Sequence, residues 1–248
     1  MAENPLPWLE PRTPFPSPYS AWDTQSEAPG LLAAGASLDV DTLKSAYGQG
    51  IFPWFSEGQP ILWWSPEPRM VLKVDDFILH RSFKKTLSRF AQDAASEIRV
   101  DTAFKEVIES CAKALRNQQS GTWILPAMVR AYTEMHQRGY AHSIEVWKNQ
   151  KLVAGLYCIA LGKAVFGESM FTNDSDGSKI ALAALIALCK KQGVKWIDCQ
   201  QNTAHLASLG AAPMSRTDFL SLVDDAKALS PLDWSFTPLY WKQILSSP

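Results

Sequence analysis

Two short stretches set polar, chemically useful side chains among large apolar ones. In "VKWIDCQQ", Val194 to Gln201, strand alternation puts Asp198 and Gln200 on the face that carries Val194 and Trp196. In "AVFGESMF", Ala164 to Phe171, the same rule sets Glu168 between Phe166 and Met170. A carboxylate buried in such company needs a partner, and its acidity is then set by its pocket. The ordinary reading is a strand end reaching water and an exposed edge, and spacing alone leaves both readings open.

Other chemistries lack their residues. No histidine lies in H-E-x-x-H and no serine in G-x-S-x-G. There is no Walker loop and no G-x-G-x-x-G, so zincin, hydrolase and nucleotide-site signatures are missing. His142 and His205 each read as hydrogen-bonded structural histidines. "FTNDSDGSK" before an apolar helix has the form of an anion site at a helix start, although a capped loop is the plainer reading. Basic residues gather at Arg81, Lys84, Lys85 and Arg89, and again at Lys190, Lys191 and Lys195. A solvated helix face explains both; beside aromatic loops they are also suited to steer the phosphates of an RNA end.

The elements that must position these groups are legible in outline. "HSIEVWKNQKLVAGLYCIALGKAVFGESMF" reads as three strands joined by "KNQK" and "GK", an antiparallel meander. "SKIALAALIALCKKQG" follows as a buried helix with Ser178 as N-cap and Gly193 as C-cap, and then the strand "VKWIDCQ". Upstream, "LDVDTLKSAYGQG", "SFKKTLSRFAQD", "DTAFKEVIESCAKALRNQQSG" and "PAMVRAYTEMHQRG" have helical spacing, and "RMVLKVDDFIL" reads as a strand. Helices before a meander, then a helix and a further strand, predict an α+β fold with a mixed, largely antiparallel sheet.

Composition bounds the rest. The 248 residues suffice for one large domain or a core with a smaller companion. A net charge of −1 gives no field that gathers nucleic acid, so any RNA contact must be local. The four cysteines lie far apart without C-x-x-C, which suits reduced thiols. The N-terminus carries six prolines in its first 22 residues and lacks the form of a signal peptide, and the longest apolar run is ten residues. That is half of the roughly 20 a membrane helix needs. A soluble, cytoplasmic protein is expected.

The anomaly is ten tryptophans. Gly50 to Leu72, "GIFPWFSEGQPILWWSPEPRMVL", holds three of them with two phenylalanines and four prolines in 23 residues. Pro53, Pro60, Pro66 and Pro68 rule out a regular helix or a central strand here, leaving a rigid loop or edge structure. Together with "GLLAAG", "AYGQGIFPWF", "GTWI", "AHSIEVW", "FGESMF", "DCQ" and "HLASLGA", in that order along the chain, this block resembles the bacterial leucyl/phenylalanyl-tRNA–protein transferase family. "GASLD" departs from the Gly-Gly-Asp-Leu turn usual there, and the proline-rich arm before Phe15 has no clear counterpart.

The resemblance implies transfer of Leu or Phe, less readily Met, from aminoacyl-tRNA to proteins that begin with Arg or Lys, creating a degradation signal of the N-end rule. Composition reads residues 1–29 as a proline-rich arm, and the resemblance implies a small N-terminal domain over 30–85 and a GNAT-like acyltransferase domain over 86–248. No cofactor, metal, membrane or DNA partner is expected, and the pyrophosphate loop of CoA-dependent relatives is missing before Ser178. By the same resemblance, Gln200 orients the reacting amine or ester with Asp198 polarising it. Glu168 and Asp198 offer charge to the basic acceptor, and Phe166 and Met170 line the pocket for the transferred side chain. Trp54 and Trp123 become plates for the terminal adenine of tRNA, Trp63 and Trp64 packing between domains, and Arg81, Lys84, Lys85 and Arg89 a phosphate contact. A CoA-dependent N-acetyltransferase and a non-catalytic adaptor for basic N-termini are the competing readings.

Overall fold

A neighbouring strand holds the proline-rich start of the chain. In the computed structural model, which describes residues 5–114 and 124–245, β1 (Trp8–Leu9) runs parallel to β2 (Leu31–Gly35). Contact is close: a Cβ on Gly35, at φ +90°, would lie 2.5 Å from the Leu9 carbonyl oxygen. The next residue, Ala36, takes φ +57°. An alanine there costs about 1 kcal/mol, so the departure at "GASLD" falls where a glycine would be easier.

The small sheet continues with β3 (Phe52–Pro53) and β4 (Leu62–Trp64), in the order β1-β2-β4-β3. Pro53 lies on the edge strand, where a missing donor is tolerated. The proline-free Leu62–Trp64 takes an inner place instead, which corrects the expectation of edge or loop structure throughout the segment. Trp63 is wholly buried, meets Phe15 edge-on and donates its indole N–H to the Gly35 carbonyl at 3.0 Å. Helix α1 (Val40–Tyr47) opens with Asp39 accepting from the Thr42 amide at 2.9 Å and buries Leu43, Ala46 and Tyr47.

The large sheet has the order β11-β5-β10-β9-β8-β7-β6. Its strands are β5 (Arg69–Lys73), β6 (Ser96–Val100), β7 (Ala141–Lys148), β8 (Lys151–Leu161), β9 (Ala164–Thr172), β10 (Trp196–Gln200) and β11 (Ala212–Met214). Strands β7, β8 and β9 are the expected meander, with Asn149 and Gln150 at φ +49° and +61° in the first turn. Among the described strands of this sheet only the β9–β10 pairing is parallel. The α+β class with a mixed, largely antiparallel sheet is the observed one.

Helices cover both faces. Buried residues of α1, α3 (Phe104–Lys113), α4 (Pro126–Gln137) and α7 (Arg216–Lys227) pack with the small sheet on one face. Those of α2 (Arg81–Gln92), α5 (Gly177–Gln192) and α8 (Lys242–Leu245) pack on the other. A short helix, α6 (Ala204–Ser208), follows β10. Among the described residues no helix is long and apolar enough to cross a membrane.

Strand β5 pairs with β10 and β11, so sheet membership changes between Trp64 and Arg69. One expectation moves. The capping residue of α5 is Asp176, at φ +60°, in place of Ser178. The helix begins at Gly177, where a Cβ would approach Ala154 Cβ to 2.6 Å. Asp176 pairs with Lys179 at 2.8 Å and Asp174 with Lys148, and the Asp176 side chain makes no capping hydrogen bond to this helix start.

Candidate active site

The parallel ladder between β9 and β10 stops at Asp198 opposite Phe166. Just beyond, each strand carries an extra residue. Against β8, Gly167 and Ser169 pair with neighbouring residues and Glu168 is left over; against β5, Asp198 and Gln200 do the same and Cys199 is left over. Bulges of this kind re-aim side chains and are frequent beside active sites. Here the two irregularities turn Glu168 and Gln200 toward each other, with Gln200 Nε2 donating to Glu168 Oε1 at 2.8 Å.

Asp198 is wholly buried and fully engaged. Arg69 donates to it through Nε at 2.8 Å and Nη2 at 2.6 Å, and the Gln200 amide donates to its Oδ1 at 2.8 Å. The expected free charge for a basic acceptor side chain is therefore not available from Asp198, because a buried guanidinium already neutralises it. What Asp198 does hold is the backbone of Gln200, which sits at φ +60°.

Glu168 is only partly buried, and its Oε1 also accepts from the Tyr47 hydroxyl at 2.7 Å. The Tyr132 hydroxyl lies 2.6 Å from that of Tyr47. Burial is the main cause that pushes the Glu168 carboxyl up to about 8. The Asp198 charge adds to this, while the tyrosine hydroxyls and the Arg69 charge hold it back. Burial likewise raises Tyr47 and Tyr132 well above the usual phenol value, so both stay protonated. Near neutral pH the cluster thus contains a carboxyl that is mostly the neutral acid, beside a neutral amide. Among the described residues, the amide oxygen of Gln200 accepts no hydrogen bond.

The bulge at Glu168 also corrects the pocket walls. Phe166 is fully buried between Tyr47 and Trp196 on the α3–α4 face, whereas Met170 packs on the α5 face. The extra residue reverses the alternation, so the two do not share one face. Trp196, which opens β10, lies on the α3–α4 face, and Val194, just before the strand, lies on the α5 face.

Trp54 follows β3 and is partly buried. Its ring meets Trp64 at 5.5 Å and 62°, and its carbonyl accepts from the Trp64 indole at 2.6 Å. Trp123 lies outside the described residues. On α2, Phe83, Leu87 and Phe90 face the core, and Arg81, Lys84, Lys85 and Arg89 line a surface hollow with Ser88. In the second basic cluster Lys190 pairs with Asp75 at 3.5 Å, and Lys191 and Lys195 are exposed. His142 is tied to Asp101 at 2.7 Å and stacked on Trp234, a structural role; His205 is exposed on α6.

The sequence reading missed Arg69, Tyr47 and Tyr132. A buried carboxylate demands a cation or several donors, but nothing local to Asp198 or Glu168 supplies one. The partners come from positions 129, 121 and 36 residues away.

Comparison with known proteins identifies relatives of the whole chain. The profile described as Leucyl/phenylalanyl-tRNA protein transferase matches residues 71–224, and the profile of its N-terminal domain matches 36–67. The break between them coincides with the passage from the small sheet to β5. A leucyl/phenylalanyl-tRNA–protein transferase from Albidiferax ferrireducens is 60% identical over 242 residues, covering 98% of this chain and 95% of its own. One from Polaromonas sp. is 56% identical over 245 residues, covering 98% and 96%. Among solved structures, FemX aligns with a TM-score of 0.44 at 9% identity, over 74% of this chain and 71% of its own.

Proposed function

The chain belongs to the leucyl/phenylalanyl-tRNA–protein transferase family, and from that premise we propose how its geometry serves the reaction. The enzyme transfers leucine or phenylalanine from aminoacyl-tRNA to the N-terminus of a protein. Acceptors begin with Arg or Lys, methionine is a poorer donor, the product is a degradation signal, and the reaction takes place in the cytoplasm, where charged tRNA is made.

The donor ester is already activated, so the enzyme has to position an amine, manage one proton and stabilise an oxyanion. The observation that carries this reading is Gln200, held by Asp198 through its backbone and by Glu168 through its Nε2, with its amide oxygen left to receive an N–H of the incoming amine. The amine nitrogen bonds to the ester carbon, the bond to the ribose oxygen breaks, and the amine proton ends on that oxygen. An α-amino group with a pKa of about 7.7 to 8.0 is sufficiently neutral without a strong base. Glu168 faces the acceptor. Trp54, with Trp123, stacks on the terminal adenine. Incubation with radiolabelled Leu-tRNA and a protein beginning with Arg is expected to yield acid-stable label; label that stays acid-labile would refute the transfer.

Two outcomes test the tRNA contacts. Trp54→Ala removes a stacking plate worth about 1 to 3 kcal/mol, so the apparent constant for aminoacyl-tRNA should rise about tenfold; an unchanged value would return the ring to packing against Trp64. Reversing charge with Lys84→Glu and Lys85→Glu should weaken tRNA binding by about tenfold or more at low salt, and the loss should shrink as salt is raised. Indifference in a filter-binding titration would make α2 an ordinary solvated face.

A further inference from the structure

We propose that Arg69 is a positioning residue for transfer: its guanidinium fixes Gln200 and the start of the tryptophan–proline segment in one register. This rests on the reaction assigned above and names the residue that holds its parts together. Arg69 is 1% exposed. Two of its nitrogens take Asp198 and the third, Nη1, donates to the Gly50 carbonyl at 3.1 Å. Its faces are covered by the rings of Phe52 and Phe219, each 4.7 Å from the guanidinium carbon.

A buried ion pair is often replaceable by apolar side chains with little loss of stability, so stability alone does not explain this arrangement. Direction does. Asp198 Oδ1 accepts from both Arg69 Nε and the Gln200 amide, so the guanidinium sets the carboxylate plane that holds Gln200 in its left-handed turn. That turn aims the Gln200 side chain at Glu168. On the other side, Gly50 is at φ +69° and a Cβ there would lie 2.5 Å from Leu220 Cδ2. The Gly50 backbone therefore passes close against the Phe219 and Leu220 side chains of α7, and Trp54 lies four residues beyond it. A planar fork of donors joins both sides; a lysine supplies the same charge without the fork.

Arg69→Lys is expected to lower kcat for transfer about 30-fold while the KM for the Arg-starting acceptor changes less than about threefold. Arg69→Ala should lose more, and guanidinium chloride should restore at least about fivefold of its kcat where methylammonium chloride does not. Both variants are assayed at a temperature where circular dichroism shows the native fold. If Arg69→Ala fails to fold, Arg69→Lys decides. Wild-type kcat in Arg69→Lys, or equal response to the two cations, overturns the positioning role. Failure of the wild-type protein to transfer label overturns the reaction itself, so the two failures are told apart.

Discussion

Asp198→Asn is expected to lower the transfer rate by about 100-fold, the scale of a misplacement near 1 Å at reacting groups, with the apparent constant for aminoacyl-tRNA within about threefold of wild type. The geometry states why. An asparagine whose oxygen takes the Oδ1 position keeps the contacts to Arg69 Nε and the Gln200 amide, but its NH2 then faces Arg69 Nη2, donor against donor. Turned over, it presents NH2 to the Gln200 amide instead. Either orientation leaves a buried guanidinium without its counter-charge, which typically costs about 3 to 5 kcal/mol. A lower unfolding midpoint should therefore accompany the slower transfer, and single-turnover assays should be run well below that midpoint. Wild-type single-turnover rates in folded protein would remove Asp198 from the positioning of Gln200.

Glu168→Gln should change how stability depends on pH. The carboxyl titrates near 8 in the folded protein, against 4.5 for an unperturbed glutamate. Because the folded value is raised, the neutral acid's contribution is complete below about 4.5 and is lost as pH rises toward and through 8. A tenfold change in acidity between the folded and unfolded chain is worth about 1.4 kcal/mol. Allowing for the partial exposure of Glu168, the wild type should lose roughly 3 kcal/mol relative to the glutamine variant between pH 4.5 and 8.5. Urea unfolding of both proteins across that range measures the difference. A constant gap would mean that Glu168 ionises in the folded state as it does in the unfolded chain.

Much of the fold was legible because periodicity and punctuation agree there. Phe83, Leu87 and Phe90 at helical spacing announce α2, Pro126 and Gly139 bracket α4, and "KNQK" marks the first hairpin of the meander. The small sheet was hidden, since β3 and β4 are two and three residues long and lie among prolines. At the candidate site the residue types in "FGESMF" and "DCQ" were visible, but the faces were not. A single extra residue at Glu168 and another at Cys199 break the period of two on which alternation depends. Arg69 was invisible as a partner for a different reason: the pairing of β5 with β10 joins residues too far apart for any local pattern to report.

That pairing also bears on how the chain acquires its activity during synthesis. Residues 69–73 leave the ribosome early, yet the strands flanking them are 196–200 and 212–214. Closing so long a loop is slow and yields no reward until the last partner arrives. A nascent chain halted before residue 196 thus holds Trp54, Trp64 and helix α2 but neither Asp198 nor Gln200, and its Arg69 has no carboxylate to orient.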